Sequence, residues 1–157
     1  MLRKVIFVAA CLTSTIALAA PPRSFLNDAI KGDNSEISLG RVIAARGASA
    51  QVRSFGNTLV RDHSMARSQA ASVARTYGMR PPTGMMAEAR FEMRRLRHMH
   101  GRAFDMEVRR YMINDHRKDI ASFRAQVRTG DHRTAALARA QLPTLRKHLR
   151  IAESIRR

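Results

Sequence analysis

Apolar side chains recur every three or four positions along most of this chain, which is the spacing of an amphipathic α-helix. The first such stretch follows two prolines and ends near Gly47. Residues 32–35 within it are turn-forming types, yet the apolar positions keep their phase across them, so the pattern predicts one helix with a local irregularity. Its apolar face consists of Phe25, Leu26, Ala29, Ile30, Ile37, Gly40, Ile43 and Ala44.

Three further long stretches repeat the helical spacing and are separated by Gly, Pro and Asp residues. They predict helices over residues 49–77, 102–128 and 132–155, and Ser49 and Asp131 stand where N-caps are favoured. A shorter helix over residues 85–99 is predicted after the Pro- and Gly-rich break. Pro143 falls inside the last helix and predicts a kink, because proline removes one backbone hydrogen bond.

Four long amphipathic helices favour one fold class: an all-α, antiparallel four-helix bundle with an extra short helix between the second and third long helices. No stretch shows the alternation of a β-strand. Residues 20–157 are enough for a single helical domain with a continuous core.

The first 19 residues read as a signal peptide. Arg3 and Lys4 precede a short apolar run, and small residues at Ala17 and Ala19 suit cleavage after Ala19, with Ala20 as the next choice. We therefore expect a periplasmic or secreted protein. No later segment is long and apolar enough to cross a membrane.

Cys11 is the only cysteine in the chain. Lipid attachment there is less favoured than ordinary secretion, because only ten residues precede Cys11 and the apolar run continues beyond it. Cleavage after Ala19 would leave a mature chain without thiol or disulfide chemistry.

The chain is strongly basic, with 29 Lys and Arg against 12 Asp and Glu and a formal net charge of +17. Such a field attracts polyanions. Export favours an anionic envelope component, namely lipid headgroups, lipopolysaccharide or cell-wall polymer, over nucleic acid. A solvated arginine-rich surface is the alternative, and the sequence leaves the oligomeric state open.

Several polar side chains fall on the apolar faces of the predicted helices. Burial of such groups costs free energy unless they find hydrogen-bond, ion-pair or metal partners. In one interpretation they form a polar core network, with Asp62, Asp105 and Asp115 as partners. In the other they bind a transition metal between facing helices through His63, His116, Asp119, Glu36 and His148.

Spacing limits the metal interpretation. Asp105 and His116 are three turns apart and cannot share an ion, whereas His116 and Asp119 can. No Asp or Glu is followed by His at the third position, so the standard di-iron motif is absent. His98, Met99 and His100 suit copper chemically, but methionine at helical spacing is more often core filler.

Two Asp-His pairs and a Leu-Pro-x-Leu-x-x-His ending occur together in this chain, as Asp62-His63, Asp115-His116 and residues 142–148. In combination they resemble an exported bacterial family, domain of unknown function 4142, over residues 24–153. The resemblance implies a ferritin-like four-helix fold and a periplasmic location, and some members carry the label "outer membrane protein". It implies no activity, and a ferritin-like fold is no evidence of iron chemistry.

This chain departs from the family's usual pattern in two ways. Val108 stands where an aromatic residue is common, and the chain is far more basic than its relatives. We expect an exported, non-enzymatic protein that binds an envelope or stress-related partner through its arginine-rich surface. The alternative is a metal-binding protein that uses the inward histidines and carboxylates. No nucleophile elbow, phosphate loop or zinc-protease motif predicts catalysis.

Overall fold

The structure is a computed structural model that describes residues 21–156. The predicted signal peptide, residues 1–19, lies outside the described residues. The described part contains helices and no strand, which confirms the all-α prediction. The helices are α1 (Pro22–Arg46), α2 (Ala50–Thr76), α3 (Ala87–Leu96), α4 (Gly101–Thr129) and α5 (His132–Ser154).

The two predicted N-caps are confirmed, whereas the short helix α3 is shorter at both ends than the predicted range 85–99. The Ser49 side chain accepts a hydrogen bond from the backbone N–H of Val52 at the start of α2. Asp131 accepts from the N–H of Arg133 at the start of α5. Helix α1 continues through residues 32–35, where the hydroxyl of Ser35 donates to the carbonyl of Lys31 inside the same helix.

Neighbouring long helices in the bundle run antiparallel. Helix α1 packs on α2 and α4 packs on α5, and the two hairpins meet along α2 and α5. Because α5 is antiparallel to both α2 and α4, the last two run parallel to each other. The segment 77–100, which contains α3, is the long crossover that this requires. One such crossover is typical of ferritin-like bundles, although the ferritin-like assignment itself stays a prediction.

Two glycines let α1 and α2 approach closely. A Cβ atom on Gly56 would lie 2.4 Å from the backbone nitrogen of Ala44, and one on Gly40 would lie 2.9 Å from the carbonyl oxygen of Gly56. Any side chain here would push the helices apart. The contact holds α1 and α2 in one register, and this register places the polar residues of α1 opposite those of α2.

The core is divided in two along the bundle. One apolar cluster includes Leu39, Phe55 and Met112, and the other includes Ile30 and Phe123. On each long helix the residues between these clusters carry the buried polar side chains. The bundle therefore has a polar layer near its middle, at the level where sequence analysis placed the inward histidines. None of the described helices is long and apolar enough to span a membrane.

Candidate metal centre

Three histidines converge in the polar layer, one each from α2, α4 and α5. They are His63, His116 and His148, and all three are buried. One ring nitrogen from each lies within 4.8 Å of those of the other two. Among the described residues this is the only group of three or more His, Cys, Asp or Glu side chains with such spacing.

The other nitrogen of each ring faces an acceptor. The ionised carboxylate of Asp62 and the carbonyl of Met112 have no proton to donate, so in neutral His148 and His116 the nitrogen that faces them must carry the proton. His63 faces Asp33, and burial raises the pKa of that carboxyl well above its usual value. The pairs are His63 Nδ1 with Asp33 Oδ1 at 2.9 Å, His148 Nε2 with Asp62 Oδ2 at 2.9 Å, and His116 Nδ1 with the carbonyl oxygen of Met112 at 3.0 Å.

These pairings determine where the lone pairs lie. In the two rings other than His63, the unprotonated nitrogens are His116 Nε2 and His148 Nδ1. His116 Nε2 and His148 Nδ1 are 3.3 Å apart, so two lone pairs face each other at hydrogen-bond distance. His63 Nε2 is buried and has no hydrogen-bond partner. His116 and His148 therefore present acceptors with no donor between them.

Protonation does not supply that donor at neutral pH. Burial lowers the pKa of His63 to about 4 and that of His148 to about 4. Burial, followed by repulsion from the other two rings, lowers the pKa of His116 to about 3. All three rings are therefore neutral near pH 7.

Asp62 is ionised and orients His148. Burial by itself would raise its pKa, but hydrogen bonds from Lys147 and His148 outweigh burial and lower the pKa to about 2. The ammonium of Lys147 and the ring of His148 both contact Asp62 Oδ2. A carboxylate behind a histidine in this way fixes both the tautomer and the orientation of the ring.

A carboxylate cluster lies beside the histidines. Burial raises the pKa of Glu36 well above its usual value, and the negative charges of Asp115, Asp119 and Asp33 raise it further. No donor reaches either oxygen of Glu36, and its Oε2 lies 4.0 Å from His63 Nε2. Burial, then the charge of Asp115, likewise raises the pKa of Asp119. The positive charge of Lys118 offsets only part of this rise at Asp119.

The structure places the five predicted metal-binding residues in two separate groups. His63, His116 and His148 come together, and His148 is fully buried. Glu36 and Asp119 belong to the carboxylate cluster instead.

The predicted network partners are divided as well. Asp62 contacts His148, and Asp115 contacts Glu36. Asp105 lies elsewhere and must be corrected: it accepts hydrogen bonds from the backbone N–H groups of Ala48 and Ser49, in the turn between α1 and α2.

Sequence reasoning missed Asp33, the buried partner of His63. Asp33 precedes Glu36 by three residues and therefore shares its helix face, which is a signal that could have found it. Its turn-forming neighbours pointed instead to a helix irregularity. Because α1 is continuous, Asp33 lies at the same level of the bundle as His63.

The segment that would suit copper chemically, His98, Met99 and His100, does not form a buried site. His98 and His100 are exposed on the connection between α3 and α4. Met99 and the nearby Met85 and Met93 pack against one of the apolar clusters, where they serve as core filler.

A cleft of about 1030 Å³ leads to the polar layer. Among its lining residues are Asp33, Asp115, Asp119 and His63, whereas His116 and His148 lie behind His63. Helices α1 and α4 border the cleft and make almost no close backbone contact with each other. His63 therefore stands between the cleft and the other two rings.

The fold and its centre define an all-helical bundle with a buried histidine and carboxylate layer. Residues 9–155 match the family described as "Domain of unknown function (DUF4142)", and the chain belongs to this family. No curated protein and no solved structure matches the chain.

Proposed function

We propose that this protein binds a divalent transition-metal ion through His63, His116 and His148. The observation that supports it best is the convergence of three buried imidazole rings, two of which point lone pairs at each other with no donor between them. Imidazole nitrogen is a preferred ligand of Zn²⁺, Cu²⁺, Ni²⁺ and Fe²⁺, and three histidines form a known type of zinc site. A purely structural network would leave the lone pairs in repulsion.

The distances suit such an ion. Nitrogens that lie about 2.0–2.1 Å from a tetrahedral metal are roughly 3.3 Å from each other. His116 Nε2 and His148 Nδ1 are already 3.3 Å apart. His63 Nε2 would complete the set with a small movement of its ring, and Glu36 Oε2, 4.0 Å from that nitrogen, is the nearest candidate for a fourth ligand.

The hydrogen bonds on the far side of each histidine ring also support metal binding. Asp33, Asp62 and the carbonyl of Met112 each hold one ring by its far nitrogen. Outer partners of this kind orient metal-binding histidines and increase their basicity. The proposal concerns binding, for storage, buffering or protection of the ion, and includes no catalytic step.

Elemental analysis of protein purified without a histidine tag tests the proposal. We expect about one divalent transition-metal ion per chain in the wild-type protein. The variants His63→Ala, His116→Ala and His148→Ala should lose this ion. His132→Ala is the matched control, because His132 is exposed on α5 and far from the centre in sequence. Replacement by Co²⁺ should give the visible absorption of a tetrahedral nitrogen site. Substoichiometric metal that these substitutions do not change would refute the proposal.

A second candidate is an exported protein that binds an anionic envelope component, as the leader and the net charge of +17 suggest. The distribution of charge supports it: seven of the 12 acidic residues line the cleft, but only five of the 29 basic ones do. The rest of the chain therefore has a higher ratio of basic to acidic residues than the chain as a whole. Anionic lipid vesicles should bind the protein at low salt and release it at high salt. Salt-independent binding, or none, would exclude this candidate.

A further inference from the structure

The cleft is richer in carboxyl groups than in basic residues, although the protein as a whole is strongly basic. The seven carboxyl groups that line it are Asp28, Asp33, Asp62, Glu88, Glu92, Asp115 and Asp119. Five basic residues line it as well, and a cleft with an excess of one sign of charge concentrates ions of the opposite sign. The cleft therefore favours a cationic occupant, in contrast to the polyanions that the rest of the surface would attract.

Most of the basic residues in the cleft are already paired. Lys147 contacts Asp62, and Arg95 and Arg110 contact Glu107. Arg94 lies over the ring of Phe91, with 5.6 Å between the guanidinium carbon and the ring centroid. These contacts reduce the positive charge that a ligand would meet, and they also neutralise Asp62 and Glu92. The carboxyl groups of the cleft outside these ion pairs include Asp33, Asp115 and Asp119.

The mouth of the cleft carries exposed apolar side chains. Among the described residues, the large hydrophobic side chains classed as exposed are Met65, at 57 %, and Phe91, at 61 %. Both line this cleft, one from α2 and the other from α3. Exposed apolar side chains gathered at a concave site indicate contact with an apolar partner.

The inner part of the cleft contains a buried acceptor without a partner. Asp33 is buried, and its Oδ2 has no hydrogen-bond partner in the described part of the chain. Asp115 and Asp119 line the same region from α4. A buried carboxylate oxygen without a partner is costly, and an ammonium group would supply up to three N–H donors.

We infer that this cleft is a binding site for a small organic cation with an apolar body, an alkylammonium or arylammonium compound. The ammonium group lies against Asp33, Asp115 and Asp119, and the apolar body extends toward Met65 and Phe91. The volume of about 1030 Å³ is at the upper end of the range of small-molecule sites. The inference rests on the cleft and does not require the metal centre.

Three probes of equal length test the charge requirement: n-octylamine, n-octanol and n-octanoate, each titrated calorimetrically against metal-free protein. Octylammonium should bind on the order of tenfold more tightly than octanol, because one charge-assisted hydrogen bond contributes about that factor. Octanoate should bind most weakly. Equal or stronger binding of octanoate would overturn the inference.

Two kinds of variant locate the site. Asp119→Asn should weaken octylammonium binding on the order of tenfold, and Phe91→Ala should weaken octylammonium and octanol alike. Glu153→Gln is the matched control for loss of one negative charge, because Glu153 lies outside the cleft. Unchanged affinity in both Asp119→Asn and Phe91→Ala would refute the site.

A third variant separates this inference from the metal proposal. His116 does not line the cleft, so His116→Ala should lose metal and keep octylammonium binding. If Co²⁺ alone, and no organic cation, binds at the acidic residues of the cleft, the inference is wrong while the metal proposal survives.

Discussion

His116 Nε2 lies 3.3 Å from His148 Nδ1 in the middle of the bundle, and both rings use their other nitrogen to donate a hydrogen bond. This pair therefore needs a proton or a metal ion between its members. Burial lowers the pKa of both rings, so the proton is lost near neutral pH. The predictions on the metal centre follow from this relationship.

Replacement of His116 by Gln should separate structural from metal-binding roles. The amide of Gln offers a donor to His148 Nδ1, so the metal-free variant should remain folded while metal-dependent stabilisation disappears. Zinc at about 100 times its Kd should stabilise the wild-type protein by roughly 2.7 kcal/mol, or roughly 5–10 °C in Tm. Thermal unfolding with and without zinc checks this. An equal shift in wild type and His116→Gln would count against the three-histidine centre.

Glu36→Gln should have opposite effects on stability and on metal binding. The carboxyl of Glu36 is buried, has no donor and lies among other carboxyl groups. A neutral amide that can donate should increase the free energy of unfolding of the metal-free protein by about 1–3 kcal/mol. The same change should weaken metal binding, since an amide cannot release a proton to become a carboxylate ligand as Glu36 can. Denaturant unfolding and a metal titration measure the two effects, and a loss of metal-free stability would contradict the prediction.

Asp62→Asn should make the free energy of unfolding less dependent on pH in the acid range. Hydrogen bonds from Lys147 and His148 lower the pKa of Asp62 to about 2, below the value of about 3.8 in an unfolded chain. The unfolded state then binds more protons, so the contribution of Asp62 is present above about pH 4 and is lost as the pH falls toward 2. The free energies of unfolding of wild type and variant should therefore differ most above about pH 4 and converge below it. A constant difference across this range would show that Asp62 acts through packing alone.

Gly56→Ala and Gly32→Ala form a matched pair within the α1–α2 hairpin. A Cβ at Gly56 would lie 2.4 Å from the backbone of Ala44, whereas a Cβ at Gly32 meets nothing within 4 Å. Gly56→Ala should destabilise by about 1–3 kcal/mol or more. Gly32→Ala should stabilise by roughly 0.5–1 kcal/mol, because alanine favours the helix interior.

The same two variants test whether the close contact between α1 and α2 positions the candidate metal centre. Because Gly56 sets the register that brings Asp33 to His63, Gly56→Ala should also weaken metal binding, and Gly32→Ala should not. Chemical denaturation together with the metal titration measures both effects. Destabilisation by Gly32→Ala would show that the continuous α1 helix is wrong at this point.

The helices could be predicted because each one depends on the pattern of residues close together in the sequence. Helical periodicity located all five helices, and the side chains of Ser49 and Asp131 marked two starts. The same periodicity placed His63 and His116 on inward faces. Periodicity did not identify Asp33 as a buried residue, because the turn-forming residues around it suggested an irregular helix. In the structure α1 is continuous there and packs against α2.

The pattern of residues by itself determined the class of the protein: four amphipathic helices and a short fifth, a basic surface, and polar groups on faces that must be buried. Only the tertiary structure decided which of those groups meet. It brought three histidines together, assigned Glu36 and Asp119 to a separate carboxylate cluster, and paired Asp105 of α4 with the turn between α1 and α2. The physical reason is that periodicity determines the angle of a side chain around its own helix. The height and rotation of one helix against another depend on contacts between helices, such as that of Gly40 with Gly56.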